Sequence, residues 1–263
     1  MDFSSVRLVA SDMDGTLLNT KHELSPDFFT IFNRMRSKDI LFSAASGRQY
    51  QNLYNCFPGI QDEIIFIAEN GSYVMHQGKE LHLQPMDRDL TRDILKQTKK
   101  LPNVLTILCG KKSAYIDNAD PAFVERLSMY YDAYTVVDNI AEIDDDDFLK
   151  IAICDLSGAE QNSYRHFIAY KDELQVKVSG NVWLDLSHKL AHKGRALDVV
   201  QKKFGIAPAH TMVFGDYLND LEMMGEAHFS FAMENAHPDV KGAAKFMTRS
   251  NDNRGVLDIL EKL

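Results

Sequence analysis

Two carboxylates one residue apart, Asp12 and Asp14, are the side chains of this sequence best placed to do chemistry. They stand in Leu8-Val9-Ala10-Ser11-Asp12-Met13-Asp14-Gly15-Thr16-Leu17-Leu18, where an apolar run leads straight into two acids and then a glycine. If the chain is extended there, a period of two puts both carboxylates on one side, and their repulsion calls for a proton or a cation. A hard divalent ion such as Mg2+, shared with phosphate and water oxygens, meets that need. The plainer alternative is a strand-to-helix turn with Asp14-Gly15 as turn residues. Val213-Phe214-Gly215-Asp216-Tyr217-Leu218-Asn219-Asp220 repeats the design from the far end of the chain. Two neighbouring parallel strands ending this way would converge Asp216 and Asp220 on the first pair. A third apolar run, Ile40 to Ala45, ends in Ser46-Gly47-Arg48. That triplet offers a hydroxyl, a glycine open to close approach, and amides at a helix start, all favouring an anion. Lys193-Gly194 opens a further helix with a point charge suited to a phosphate oxygen.

These side chains need a scaffold that brings strand ends together. Val6–Ala10, Ile40–Ala45 and Ile64–Ala68 read as buried strands, alternating with helices over Pro26–Lys38, with Ser25 before it as cap, and Arg48–Cys56. That rhythm predicts a parallel sheet with right-handed crossovers, and ligands of such sheets bind outside the carboxyl ends of the strands. Asn70-Gly71 then breaks the rhythm, with Ser72–Val74 pairing Glu80–Leu83. Over residues 85–187 the pattern changes to helices at Asp87–Lys100, Pro121–Tyr131 and Ala159–Tyr170, mixed with strands at Val104–Cys109, Ala114–Ile116, Phe148–Cys154 and Val182–Leu186. Adjacent strands without an intervening helix suggest an antiparallel α+β unit. The α/β rhythm resumes with helix Gly194–Phe204, strand Thr211–Phe214, helix Asp220–Met224, strand Phe229–Ala232 and helix Val256–Leu260. The expected fold is therefore α/β: a doubly wound, Rossmann-like parallel-sheet core formed by residues 1–84 and 188–263, with an α+β cap inserted over 85–187.

Composition narrows the partners. The chain has 263 residues, 45% hydrophobic and 25% charged, and a formal net charge of −9 without any long basic block, so nucleic acid and anionic membranes are not expected partners. No stretch has the length or hydropathy of a membrane span or a signal peptide, and Cys56, Cys109 and Cys154 read as reduced thiols, which predicts a cytoplasmic protein. His188 and His192 have metal-ligand spacing but no HExxH context, and read as packing or solvated residues. Asp144 to Asp147 lack the spacing of a calcium loop and read as an exposed turn. Trp183 and the Tyr130, Tyr131, Tyr134 cluster read as packing, with one or two of them available to a substrate.

Taken in order, the motifs resemble the haloacid dehalogenase superfamily of phosphohydrolases. Asp12-Met13-Asp14-Gly15-Thr16 is similar to its first motif, Ser46 to its second, Lys193 to its third, and Gly215-Asp216 with Asn219-Asp220 to its fourth. Ala232-Met233-Glu234-Asn235-Ala236 and the stretch from Ser250-Asn251 to Arg254-Gly255-Val256 resemble the Cof-like subfamily. The interval from Asp14 to Ser46 is too short for a domain, whereas that from Ser46 to Lys193 holds an insert of about 100 residues, similar to the family's type IIB cap.

The resemblance implies that Asp12 is the nucleophile, forming an aspartyl-phosphate, and that Asp14 protonates the leaving oxygen and later deprotonates water. It implies Mg2+ as cofactor, held by Asp12, the Asp14 backbone carbonyl and Asp216. Ser46, the amides of Met13 and Gly47, Lys193 and Asn219 would hold the phosphoryl oxygens. Asp220 would orient Lys193 or a metal-bound water. Arg48 and Asn70 would lie near the core–cap junction, either touching substrate or bracing the structure. In this scheme Asp12 is ionised, while Asp14 starts protonated, with a pKa well above the free value. Asp14 stands where transport ATPases of the superfamily carry Thr, which favours a phosphate monoester. Two positions depart from the pattern: Ser46 where Thr is commoner, and Tyr217 where Asn, Gly or Ser is frequent. The expectation is a Mg2+-dependent phosphatase of small phosphorylated metabolites such as sugar phosphates. A phosphomutase of the phosphomannomutase kind and a non-enzymatic phospho-ligand sensor are the alternatives. Substrate identity and oligomeric state have no motif.

Overall fold

The computed structural model describes residues 2–263. The chain first lays down β1 (Leu8–Asp12), β2 (Leu41–Ala45), β3 (Ile64–Ala68), β4 (Tyr73–His76) and β5 (Lys79–Leu83). It then forms a separate sheet from β6 (Val104–Gly110), β7 (Ala114–Ile116), β8 (Tyr134–Val136), β9 (Phe148–Asp155), β10 (Leu174–Gly180) and β11 (Trp183–His188). Finally it returns to the first sheet with β12 (Thr211–Gly215), β13 (Phe229–Ala232) and β14 (Phe246–Met247). The core sheet has the order β14-β13-β12-β1-β2-β3-β4-β5, parallel from β14 to β3 and antiparallel through β4 and β5. The second sheet, β10-β11-β9-β6-β7-β8, is antiparallel except where β7 meets β8. This is the expected α/β core with an inserted α+β cap.

The central strands are buried on both faces and mostly apolar: β1, β3, β12 and β13 are buried at every residue. The helix Asp27–Arg36 buries Phe28, Ile31, Phe32 and Met35, the i, i+3, i+4, i+7 stripe that faces a core. Phe28 packs edge-on against Phe42 of β2, with ring centroids 5.0 Å apart. In the cap, β9 alternates its faces: Ile151 and Ile153 join one apolar cluster with Leu95 and Leu186, while Ala152 and Cys154 join another with Phe123 and Leu127.

Register brings the chemistry together. Ser11 lies opposite Phe214 of β12, and Asp12 opposite Ala45 of β2, so Asp12, Ser46 and Asp216 emerge side by side at one edge.

Several local expectations are corrected. The helix expected over Ala159–Tyr170 shrinks to Ser163–Phe167 and one further turn, because the Asp155 carboxylate takes the Ser163 N–H at 2.8 Å and fixes a late start. Pro121–Leu127 ends sooner than expected, and β8, β10, β14 and the helix Pro238–Ala243 have no counterpart in the sequence reading. The acidic run is only partly exposed: Asp146 is buried, accepting the Tyr115 hydroxyl at 2.9 Å and the Lys112 N–H. Among the described residues, Cys56, Cys109 and Cys154 are unpaired, and no helix is long and apolar enough to cross a membrane.

Candidate active site

Lys193 is the centre of the site. It is the first residue of the helix Lys193–Phe204, whose start is capped by His192, with Nδ1 accepting the Arg195 N–H at 3.1 Å. The Lys193 ammonium, fully buried, donates to Asp12 Oδ1 at 2.5 Å and Asp220 Oδ1 at 2.7 Å. Asp220 Oδ2 accepts the N–H groups of Asp216 and Tyr217 at 2.9 and 3.2 Å. Asp216 Oδ1 accepts the Thr16 hydroxyl at 2.9 Å. Asp12, Asp216 and Asp220 each bring a carboxylate oxygen within 4.8 Å of the others, and they form the one such group among the described residues. His188 and His192 are not part of it; their Nδ1 atoms accept the N–H groups of Leu190 and Arg195.

One ammonium faces three carboxylates here, and the charge does not balance. Burial pushes the Asp12 carboxyl well above the carboxylate range; Lys193 opposes the shift, and the Asp220 and Asp216 charges reinforce it. Burial, then the Asp220 charge, pushes Asp216 up to about 7. Burial works against the Lys193 charge, but Asp12 and Asp220 outweigh it and hold the ammonium above its ordinary range. An all-oxygen donor set with surplus negative charge, in a site that disfavours bare carboxylates, fits a hard divalent cation.

The remaining expected groups surround this cluster. Ser46 is buried; its carbonyl accepts the Asn70 N–H at 2.9 Å and its hydroxyl accepts the Arg48 N–H at 3.1 Å. Met13 is buried in the turn after β1, two residues before Gly15 with φ +78°. Asn219 Nδ2 donates to Asn70 Oδ1 at 3.0 Å. Asp12, Asp14, Ser46, Gly47, Arg48, Asn70, Asp216, Tyr217 and Asn219 all line one cleft of about 400 Å³.

Asp14 departs from expectation. Arg48 grips it with two hydrogen bonds, Nε to Oδ2 at 2.7 Å and Nη2 to Oδ1 at 2.5 Å, and His22 Nδ1 lies 2.8 Å from Oδ1. Burial pushes its carboxyl up, but the Arg48 hydrogen bonds and charge, with His22, outweigh burial and hold it below the ordinary range. The anticipated raised carboxyl at Asp14 is thus not what this arrangement gives: Asp14 is the lowered one. Arg48 also donates to Asn52 Oδ1 at 2.9 Å and lies 5.7 Å from the Tyr130 ring centre, so here it braces the junction.

The cap supplies groups the sequence reading missed. Lys150, Asp185, Ser179 and Asn181 line the cleft beside Tyr130, Tyr131 and Trp183. Lys150 had a signal: a lysine inside Phe148-Leu149-Lys150-Ile151-Ala152-Ile153 must be paired if that strand is buried. Tyr134, on the exposed β8, is not among the lining residues. The tail motifs also find a role, since Asn235 Nδ2 donates to the Gly15 carbonyl at 2.8 Å and Asn251 Nδ2 to the Leu18 carbonyl at 3.0 Å, bracing the turn after β1.

Comparison with known proteins agrees with this geometry. The family model of haloacid dehalogenase-like hydrolases matches residues 9–260. The chain is 37% identical over 265 residues to the 5-amino-6-(5-phospho-D-ribitylamino)uracil phosphatase YbjI of Escherichia coli strain K12, covering 98% of this chain and 96% of that protein. The crystal structure of SMU.1108c from Streptococcus mutans UA159 superposes with a TM-score of 0.89 at 31% identity, over 97% of this chain and 98% of that one. The subclass IIB sugar phosphatase BT4131 shares the fold, with a TM-score of 0.85 at 19% identity over 97% of this chain and 98% of its own. The chain belongs to the haloacid dehalogenase-like hydrolases and is a phosphoric monoester hydrolase.

Proposed function

We propose that this enzyme hydrolyses the terminal phosphate of a small polyol phosphate through an aspartyl-phosphate on Asp12. The observation that carries this reading is the meeting of Asp12, Lys193, Asp216 and Asp220 in one buried cluster beside Ser46. Residues 85–187 are taken as the cap, and residues 1–84 with 188–263 as the core.

Asp12, the Asp14 backbone carbonyl and Asp216 would hold Mg2+, with Asp220 engaged by Lys193 and backbone amides. When bound, that ion offsets the negative charge between carboxylate and phosphate. Asp12 Oδ attacks phosphorus, the P–O ester bond breaks, and the leaving oxygen takes its proton from Asp14. Asp14 then removes a proton from the water that attacks the aspartyl-phosphate, releasing inorganic phosphate and restoring both acids. Because Arg48 and His22 hold Asp14 ionised, its first task requires that the guanidinium be displaced and that Asp14 take up a proton from solvent before the ester bond breaks. Its second task, as base, requires no such change. Ser46, the amides of Met13 and Gly47, Lys193 and Asn219 hold the phosphoryl oxygens, since such transfers depend on positioning and electrostatics.

Aromatic faces at Tyr130, Tyr131 and Trp183 with polar Ser179 and Asn181 suit a leaving group that joins a polyol to a flat ring. The E. coli relative acts, by its name, on such a molecule. Three unpaired thiols suit a reducing compartment, and we place the enzyme in the cytoplasm.

Phosphate release from sugar phosphates, nucleotides, flavin mononucleotide, pyridoxal phosphate and the phosphoribitylaminouracil, with and without Mg2+, tests this reading. Mg2+-dependent release, fastest with a ring-bearing polyol phosphate, is expected. Phosphate moved within the substrate would instead mark a mutase, and a long-lived phosphoprotein without turnover a sensor.

A further inference from the structure

Two buried cap side chains reach the phosphate-holding groups of the core, and none of the steps above uses them. Lys150, on β9, is 2% exposed. Its ammonium donates to the Gly47 backbone carbonyl at 2.8 Å, pairs with Glu69 at 2.8 Å, and lies 3.6 Å from Asp185. Asp185, on the neighbouring β11, accepts the Asn70 side-chain N–H at 3.0 Å. Asn70 Oδ1 in turn accepts from Asn219 Nδ2 at 3.0 Å. A cap cation thus fixes the peptide after Ser46-Gly47, and a cap anion reaches Asn219 through one intermediary.

We propose that Lys150 and Asp185 are positioning residues that set Gly47 and Asn219 in phosphate-binding geometry while the cap is seated on the core. The proposal rests on the phosphatase reading above. Asp185 decides which way Asn70 faces: the carboxylate takes an amide N–H, which turns the Asn70 carbonyl toward Asn219 and leaves Asn219 a second N–H for an anion. There is little slack between the two loops. Asn70 sits at φ +55°, and a Cβ built on Gly47 would stand 3.1 Å from Asn70 Oδ1. Mere adhesion of cap to core is a poor account of this cluster, because buried charges lose hydration that pairing need not return, and apolar side chains would adhere as well. What apolar side chains cannot supply is a donor aimed at the Gly47 carbonyl and an acceptor aimed at Asn70.

The test uses the full-length enzyme with Mg2+ and two substrates, p-nitrophenyl phosphate and flavin mononucleotide. Lys150→Met alone leaves Glu69 and Asp185 without their cation, so the charge-compensated double variant Lys150→Met/Glu69→Gln is compared with Lys150→Arg and Asp185→Asn, with thermal melting as the folding check. A misplacement of about 1 Å costs about 10²-fold in rate. The expected result is a kcat lowered about 10- to 100-fold on both substrates, KM changed less than about threefold, and partial rescue by Lys150→Arg. Unchanged kcat in the folded variants overturns the proposal, as does a rise in KM with kcat retained. A loss confined to flavin mononucleotide also overturns it, since the pair would then read the leaving group. If the wild-type enzyme releases phosphate from neither substrate, the phosphatase reading itself fails, which is a separate outcome.

Discussion

Gly15 shows how little room the chemistry leaves at the scale of single residues. Its φ of +78° belongs to glycine, and a Cβ there would stand 2.4 Å from Asp216 Oδ2. Gly15→Ala must move either the turn or the carboxylate, so steady-state phosphate release should fall about 10²-fold while thermal melting shifts only slightly. Asp12, Asp14, Asp216 and Lys193 were legible because strand ends and a helix start dictate where they stand. The grip of Arg48 and His22 on Asp14 was not, because it depends on the reach of long side chains across a loop. That grip holds the Asp14 carboxyl down, where the expected acid would have it raised. Lys150 was legible in principle, as a charge in an apolar strand, yet its partners Glu69 and Asp185 belong to different layers of the molecule.

Among the elements, the join between β9 and the short helix Ser163–Phe167 is the most exacting. Asp155, fully buried, accepts the N–H groups of Ser157 at 3.0 Å and Ser163 at 2.8 Å and the Asn162 amide at 3.3 Å. Burial pushes its carboxyl up, but these hydrogen bonds, led by Ser163, outweigh it and hold it below the ordinary range. A lowered carboxylate contributes stability that is present above its unfolded value of about 3.9 and is lost as pH falls through the folded value. Asp155→Ala strands three donors and should cost about 1–3 kcal/mol in urea unfolding at pH 7. The gap between variant and wild type should narrow below about pH 4. Strand β10 was available to sequence reading, since Leu174, Val176 and Val178 alternate with Gln175, Lys177 and Ser179. The two-residue β14 carries no period long enough to register.

For the whole molecule, the net charge of −9 poses an apparent conflict with an anionic substrate, which local arrangement resolves. In the proposed site, Asp12, Asp216 and Asp220 converge where a cation is wanted, while Lys193 and backbone amides would face the phosphate. A clamp of side-chain hydrogen bonds also holds the inserted sheet's layer against the core. Gln49 exchanges two hydrogen bonds with the Ala133 backbone at 2.7 and 3.0 Å, and Asp132 accepts from Asn52 and Asn55 at 2.8 and 2.6 Å. Asp132→Ala removes two partly exposed bonds, worth about 1 kcal/mol together, and should raise KM about fivefold with kcat little changed in steady-state assays. The split core and its insert were legible from the change in helix and strand rhythm together with motif spacing; the clamp was not, because no local pattern marks an asparagine that meets a residue of the opposing layer.

The central claim is that Asp12 carries the phosphoryl group, and the most direct measurement is inorganic phosphate release by Asp12→Asn with Mg2+ present. Release at background level with the wild-type fold, judged by circular dichroism and melting, is the predicted result. A folded Asp12→Asn enzyme that keeps most of the wild-type phosphatase activity would contradict it.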